Sequence, residues 1–158
     1  MKKLTLMMVA LLISVAASAQ FEQGKKYVGA SLTGLNLSYS GSEKGHLGVM
    51  AKGGYLLSDN LMATGWASYE TQTDISDALT VGAGGRYYII QNGLFLGAGV
   101  TFKHAEDYND FMPTVQVGYA FFLNGSVTVE PEIYYEQSLK NHKDFSKIGF
   151  RIGLGIYL

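Results

Sequence analysis

Apolar and polar residues alternate with a period of two along most of this chain, most cleanly over its last twelve residues, Lys147 to Leu158. Ile148, Phe150, Ile152, Leu154, Ile156 and Leu158 share one parity; Lys147, Gly149, Arg151, Gly153, Gly155 and Tyr157 share the other. No helix presents that pattern on one stripe, so the stretch predicts a strand. A strand facing water would carry Thr, Ser, Lys or Glu on its polar side. Charge diluted with glycine suits a narrow barrel lumen instead, and an unbroken aliphatic face suits lipid.

The same pattern predicts eight strands, near residues 26–40, 46–57, 61–71, 78–90, 94–103, 111–122, 127–137 and 145–158. Turn signals at Ser58-Asp59-Asn60, Asn92-Gly93 and Asn124-Gly125 recur roughly every 33 residues, one up-and-down strand pair each. Polar segments at 41–45, 71–77, 104–110 and 137–144 lie midway, which predicts short turns at one end and longer loops at the other. In the fourth strand Leu79, Val81, Ala83, Tyr87 and Ile89 oppose Thr80, Gly82, Gly84, Arg86 and Tyr88; in the seventh, Val127, Val129, Pro131, Ile133 and Tyr135 oppose Thr128, Glu130, Glu132, Tyr134 and Glu136. The expectation is an all-β fold, an eight-stranded antiparallel up-and-down transmembrane barrel.

Parity constrains register. A two-residue Asn92-Gly93 turn would set Arg86 opposite Gly99, whereas Asn124-Gly125 needs a three-residue loop, with Gly125 expected in the left-handed region. In the first strand Val28, Ala30 and Leu32 are out of phase with Leu35, Leu37 and Tyr39, so a bulge near Thr33-Gly34 or inward apolar residues are required.

Composition narrows the setting. Lys2 and Lys3, an apolar run from Leu4 to Val15 and Ala17-Ser18-Ala19 read as a secretory signal peptide over residues 1–19, leaving 20–158 as one barrel domain. Losing Lys2 and Lys3 takes the formal charge from -1 to -3, which excludes a nucleic-acid binder driven by net charge. With no cysteine there is neither a disulfide nor an acylation site. Twenty glycines, eleven tyrosines and eight phenylalanines against two prolines fit strands crossing a bilayer better than a soluble domain.

Every strong charge within a predicted strand falls on the face opposite the aliphatic residues. Lys52, Arg86, Arg151, Glu130 and Glu132 share one level near the short-turn end, with Glu70, Lys103, Glu136 and Lys147 above them. If the last loop centres between Asn141 and His142, Glu132 faces Arg151 and Glu136 faces Lys147. Opposite signs at matched heights predict a neutralising network that fills a lumen only just wide enough for side chains. Trp66 would point inward, opposite Lys52 if the Ser58-Asp59-Asn60 loop has three residues. Tyr55, Phe95, Tyr119 and Phe121 at one end, and Tyr39, Tyr69, Phe102 and Tyr135 at the other, are the expected aromatic girdles.

The chain resembles the small outer-membrane β-barrel family of OmpA-type transmembrane domains and OmpX. The resemblance rests on the Ala-Ser-Ala site, Gly54-Tyr55-Leu56-Leu57-Ser58-Asp59-Asn60, Arg86-Tyr87-Tyr88, Gly118-Tyr119-Ala120-Phe121 and the terminal alternation ending in Leu158. It implies location in the outer membrane among phospholipid and lipopolysaccharide, insertion by the barrel-assembly machinery and a monomeric barrel. Family roles span envelope integrity and surface interaction, small pores and lipid-modifying enzymes. His46, His104 and His142, with Asp107, Asp110 or Asp144, form no ligand motif. The acidic segment Glu106 to Asp110 reads as a solvated loop. Ser138 and Ser146 flank His142 without a recognisable catalytic arrangement. The resulting expectation is a non-enzymatic envelope or surface role without a cofactor, with a gated pore and an outer-leaflet enzyme as alternatives.

Overall fold

The computed structural model describes residues 21–33, 47–72, 75–89, 92–105, 108–139 and 146–158. They form β1 (Lys26–Thr33), β2 (Leu47–Ser58), β3 (Leu61–Gln72), β4 (Ile75–Tyr88), β5 (Leu94–Ala105), β6 (Tyr108–Tyr119), β7 (Phe121–Phe122), β8 (Val127–Glu136) and β9 (Lys147–Tyr157). All pairings are antiparallel, and β1 closes on β9. β6 and β7 are stretches of one barrel strand. Their register against β8 runs unchanged from Gly118 opposite Glu132 to Phe121 opposite Val129, with Ala120 between them bonded to the Gly93 carbonyl at 2.8 Å. The barrel is therefore closed and eight-stranded, without a free sheet edge.

Polarity marked where the apolar band ends, not where the ladder ends. The segments expected as loops at 71–77 and 104–110 continue the strands: Gln72 pairs with Ile75 and Ala105 with Tyr108, leaving only 73–74 and 106–107 as connections. On that end, residues 34–46 lie between the described ends of β1 and β2, and residues 137–146 between those of β8 and β9. In β1 Val28 and Leu32 face outward at 55% and 58% exposure. The phase reset expected past Thr33, with Leu35, Leu37 and Tyr39, lies outside the described residues.

The turns show what parity can and cannot decide. Tyr88 pairs with Phe95 and the Ile89 amide donates to the Leu94 carbonyl at 2.8 Å, so the β4–β5 connection has four residues, 90–93, rather than two. Arg86 consequently lies opposite Gly97, and Gly99 lies opposite Gly84. Both registers keep the same faces, so alternation could not separate them. What sets the longer turn is Gly93 at φ +95° and the Asn92 side-chain oxygen accepting the Leu94 amide at 3.0 Å. The β7–β8 loop has the three residues expected, 124–126, since the Leu123 amide donates to the Val127 carbonyl at 2.8 Å. Gly125 is not left-handed there. The Asn124 side chain holds the turn instead, accepting the Ser126 and Val127 amides at 2.9 and 2.8 Å. Lys52 does face Trp66, but through a two-residue Asp59-Asn60 turn and a bulge at Leu57 rather than a three-residue loop.

Large inward side chains lie across glycines on neighbouring strands: Trp66 over Gly82, Phe95 over Gly118 and Tyr134 over Gly149, each its direct cross-strand partner. A Cβ at any of these glycines would stand within 2.6 Å of the covering ring. Gly84 is tighter still, because its Cβ would meet backbone, 2.3 Å from the Ala98 carbonyl oxygen and 2.7 Å from Gly99 Cα. Gly84→Ala should therefore lower stability by about 1–3 kcal/mol, the usual cost of overpacking. Gly65→Ala, whose nearest contact is the Gly82 oxygen at 3.7 Å, should stay within about 0.5 kcal/mol. Urea unfolding of both variants in lipid vesicles measures the difference.

Candidate functional site

Burial in this barrel is inverted relative to a soluble protein. Arg86 is fully buried and Glu130, Glu132 and Arg151 are at most 4% exposed, whereas Val100, Ile133, Ile148 and Leu154 are 48–57% exposed. Charges face the interior and aliphatic residues cover the outside. Tyr55 and Tyr87 are exposed near the short-turn end, where Tyr119 and Phe121 pack at 4.4 Å between ring centroids. Tyr69 and Phe111 are exposed toward the opposite end, where Phe102 packs against Phe111 at 5.0 Å. Phe95 does not belong to a girdle. It shares the parity of Gly97, is fully buried, and its ring lies 3.8 Å from the Arg86 guanidinium carbon. Tyr39 lies outside the described residues.

Two carboxylates on β8 organise the lumen. Glu132 accepts from Lys52 Nζ at 3.1 and 3.3 Å, from Arg86 Nη2 at 3.3 Å and from Arg151 Nε. Glu130 accepts from Arg86 Nη1 and the Tyr27 hydroxyl, both at 2.8 Å, from Thr128 Oγ1 at 2.9 Å and from the Tyr157 hydroxyl at 3.1 Å. Arg151 also donates to Gln116 Oε1 at 3.0 Å and lies 4.4 Å over the Tyr134 ring. These bonds join β1, β2, β4, β6, β8 and β9 across the interior. Arg86 Nε has no acceptor among the described residues, though its guanidinium stacks on Phe95.

Of the higher residues, Glu136 is 6% exposed and pairs in register with Lys147, as Glu132 does with Arg151. Lys103 is half-buried opposite Thr80 and Asp110. Glu70 holds an inward register position on β3, opposite Gly48 and Ala78; its side chain and that of Lys147 lie outside the described residues. Trp66 turns inward over Gly82, while the rings that Arg86 and Arg151 cover are Phe95, Tyr27 and Tyr134.

Below the charges is a seal that alternation did not announce. Phe21 is fully buried, stacked on Tyr88 at 3.9 Å and 17°, with Tyr157 and Phe122 edge-on at 5.4 and 5.5 Å. Tyr88 and Tyr157 share a hydrogen bond at 2.7 Å. The segment before β1 is tied down by Gly24 donating to the Leu56 carbonyl, Leu56 donating to the Lys25 carbonyl, and the Gln23 amide donating to Asp59 Oδ1. Inward parity does place Tyr88 and Tyr157 here. Phe21 precedes the first alternating residue, so no periodicity marks it.

A closed eight-strand ladder with ions inside and aliphatic residues outside decides the comparison. The fold is that of the small outer-membrane β-barrels. It is similar to the N-terminal β-barrel domain of Pseudomonas aeruginosa OprF, with TM-score 0.66, 12% identity, and 86% of this chain and 98% of that one covered. It is also similar to Ail, the attachment invasion locus protein of Yersinia pestis, with TM-score 0.53, 14% identity, and 86% and 99% covered. A de novo designed transmembrane β-barrel matches with TM-score 0.58 at 17% identity over 87% of this chain and 98% of that one. No family model matches the chain, and no curated protein matches it in sequence.

Among the described residues, no group of three or more His, Asp or Glu side chains is placed to hold a metal ion. His104 is exposed and bonded to Asn109 at 2.5 Å. Ser138 and Ser146 do meet, the Ser138 amide donating to Ser146 Oγ at 3.2 Å, while Ser138 Oγ donates to Asp110. His46, His142, Glu106, Asp107 and Asp144 lie outside the described residues.

Glu132→Ala should cost roughly 3–5 kcal/mol, because it leaves buried cations without their shared acceptor. Adding Lys52→Met should restore part of that, with a coupling of about 0.5–3 kcal/mol in a double-mutant cycle read by urea unfolding in vesicles. Removing the lower plug by Phe21→Ala should cost about 3–5 kcal/mol by the same measurement.

Proposed function

We propose that this chain is an integral outer-membrane barrel without enzymatic activity, contributing to envelope integrity or surface interactions. Residues 1–19 are the leader and 20–158 the barrel, inserted by the barrel-assembly machinery as a monomer among phospholipid and lipopolysaccharide. The observation that carries the membrane reading is the inverted burial: exposed aliphatic residues would be costly in water, and the ions they enclose are bonded to one another. A non-conducting role is favoured over a pore because Arg86, Glu130, Glu132, Lys52 and Arg151 fill the lumen across its width, with Phe21, Tyr88 and Tyr157 closing it below. Surface contacts then fall to the outer end, where residues 34–46 separate β1 from β2 and residues 137–146 separate β8 from β9. That a designed barrel shares the fold is a reminder that architecture alone prescribes no role.

Three measurements test this reading. Detergent-extracted membranes should contain the protein as a heat-modifiable band, folded when unheated and slower when boiled; recovery in the detergent-free soluble fraction would overturn the membrane assignment. Planar bilayers should show no steady single-channel steps, and steps that change with Arg86→Ala would install the pore reading instead. Lipid A from cells with and without the protein should give the same mass spectrum.

A further inference from the structure

At the long-connection end a cavity of about 330 Å³ opens on the outer wall between β5, β6 and the segment after β8. It is lined by Phe102, Phe111 and Leu139, with Asn109 and Asp110 as its polar members. Its size lies at the lower end of ligand-binding cavities. The apolar lining continues the aliphatic exterior: Phe111 and Leu139 are 58% and 64% exposed, and the Phe102 and Phe111 rings pack at 5.0 Å. Its other margin is polar, for Asn109 is bonded to His104, which is also exposed.

The third wall is built. Asp110 and Ser138 are 2% and 1% exposed and hydrogen-bonded to each other. The Ser138 amide is held by Ser146 Oγ at 3.2 Å, and the Gln137 amide donates to the Pro113 carbonyl at 2.9 Å. These bonds fix the chain as it leaves β8, and the next residue is Leu139. A hydrophobic recess that is continuous with a lipid-facing wall, and is polar only at the rim, matches an amphiphile whose chain end is apolar. On the membrane reading, these aromatic residues fall at the height expected of the interfacial girdle.

We propose that this recess seats one acyl chain of an outer-leaflet lipid, laid against Phe102, Phe111 and Leu139 with its ester or amide linkage at Asn109 and His104. The inference rests on the membrane reading above. Its two possible sources, a phospholipid and the lipid A of lipopolysaccharide, share that chemistry.

The test is photolabelling of the full-length barrel in phospholipid vesicles doped with a phospholipid bearing a diazirine on its acyl chain, with adducts mapped by mass spectrometry. Adducts on Phe102, Phe111 and Leu139 should exceed those on the outward residues Tyr69 and Val81 several-fold. Leu139→Ser and Ser138→Ala should erase the excess while keeping heat-modifiable migration. Leu139 is exposed, so its variant remains informative if Ser138→Ala fails to fold. Competition by unlabelled phospholipid or by added lipopolysaccharide identifies the source; an excess that neither reduces overturns a saturable seat. Labelling spread evenly around the aliphatic band overturns the recess and leaves the membrane barrel standing. No labelling of the band removes both.

Discussion

Glu132 is the acceptor that the interior is built around. A closed eight-stranded barrel has no room for bulk water around its inward side chains, so a cation placed there must find its counter-charge in the wall opposite. Lys52 from β2, Arg86 from β4 and Arg151 from β9 all donate to this one carboxylate, and Glu130, one pleat lower on the same strand, takes the other side of Arg86. The contacts from Lys52 and Arg86 tie β2 and β4 to β8, with which neither shares a ladder. A register slip of one residue in any of them would carry a charge to the lipid face.

The rest of the lumen follows from fitting that network into a narrow cylinder. Rings and guanidinium groups occupy the centre, so the wall beside them has to be thin. Gly82, Gly118 and Gly149 each face a neighbouring Trp, Phe or Tyr that would collide with a Cβ. Tyrosines fill the lower interior because they are apolar in body and can still donate at the tip, as Tyr27 and Tyr157 do to Glu130. Phe21 completes that layer from outside the sheet. The filled interior and the smooth aliphatic wall are two faces of the same strands, set by a single alternation.

Alternation made much of this legible. It told inward from outward residues on β4, β5, β8 and β9, and the antiparallel arithmetic of the last hairpin set Glu132 against Arg151 and Glu136 against Lys147. The same arithmetic placed Arg86 beside Gly99 when its neighbour is Gly97, because turns of two and four residues preserve the faces alike. Polar composition at 71–77 and 104–110 suggested loops where the ladder runs on, since hydrogen-bonded pairing needs no apolar side chain. Phe95 was set among the girdle aromatics by its height, whereas its parity sends it inward to Arg86.

Strand number, facing and the sign of each interior charge were determined by the sequence alone, because a period of two is local and survives any folding detail. Which carboxylates Lys52 and Arg86 meet was decided only by the tertiary structure. That depends on barrel curvature and on how far each turn shifts one strand along the next, quantities that no single segment contains. Phe21 shows the same limit from the other side: it carries no periodic signal, and its place is visible only in the closed barrel, where it packs on Tyr88 at the lower end.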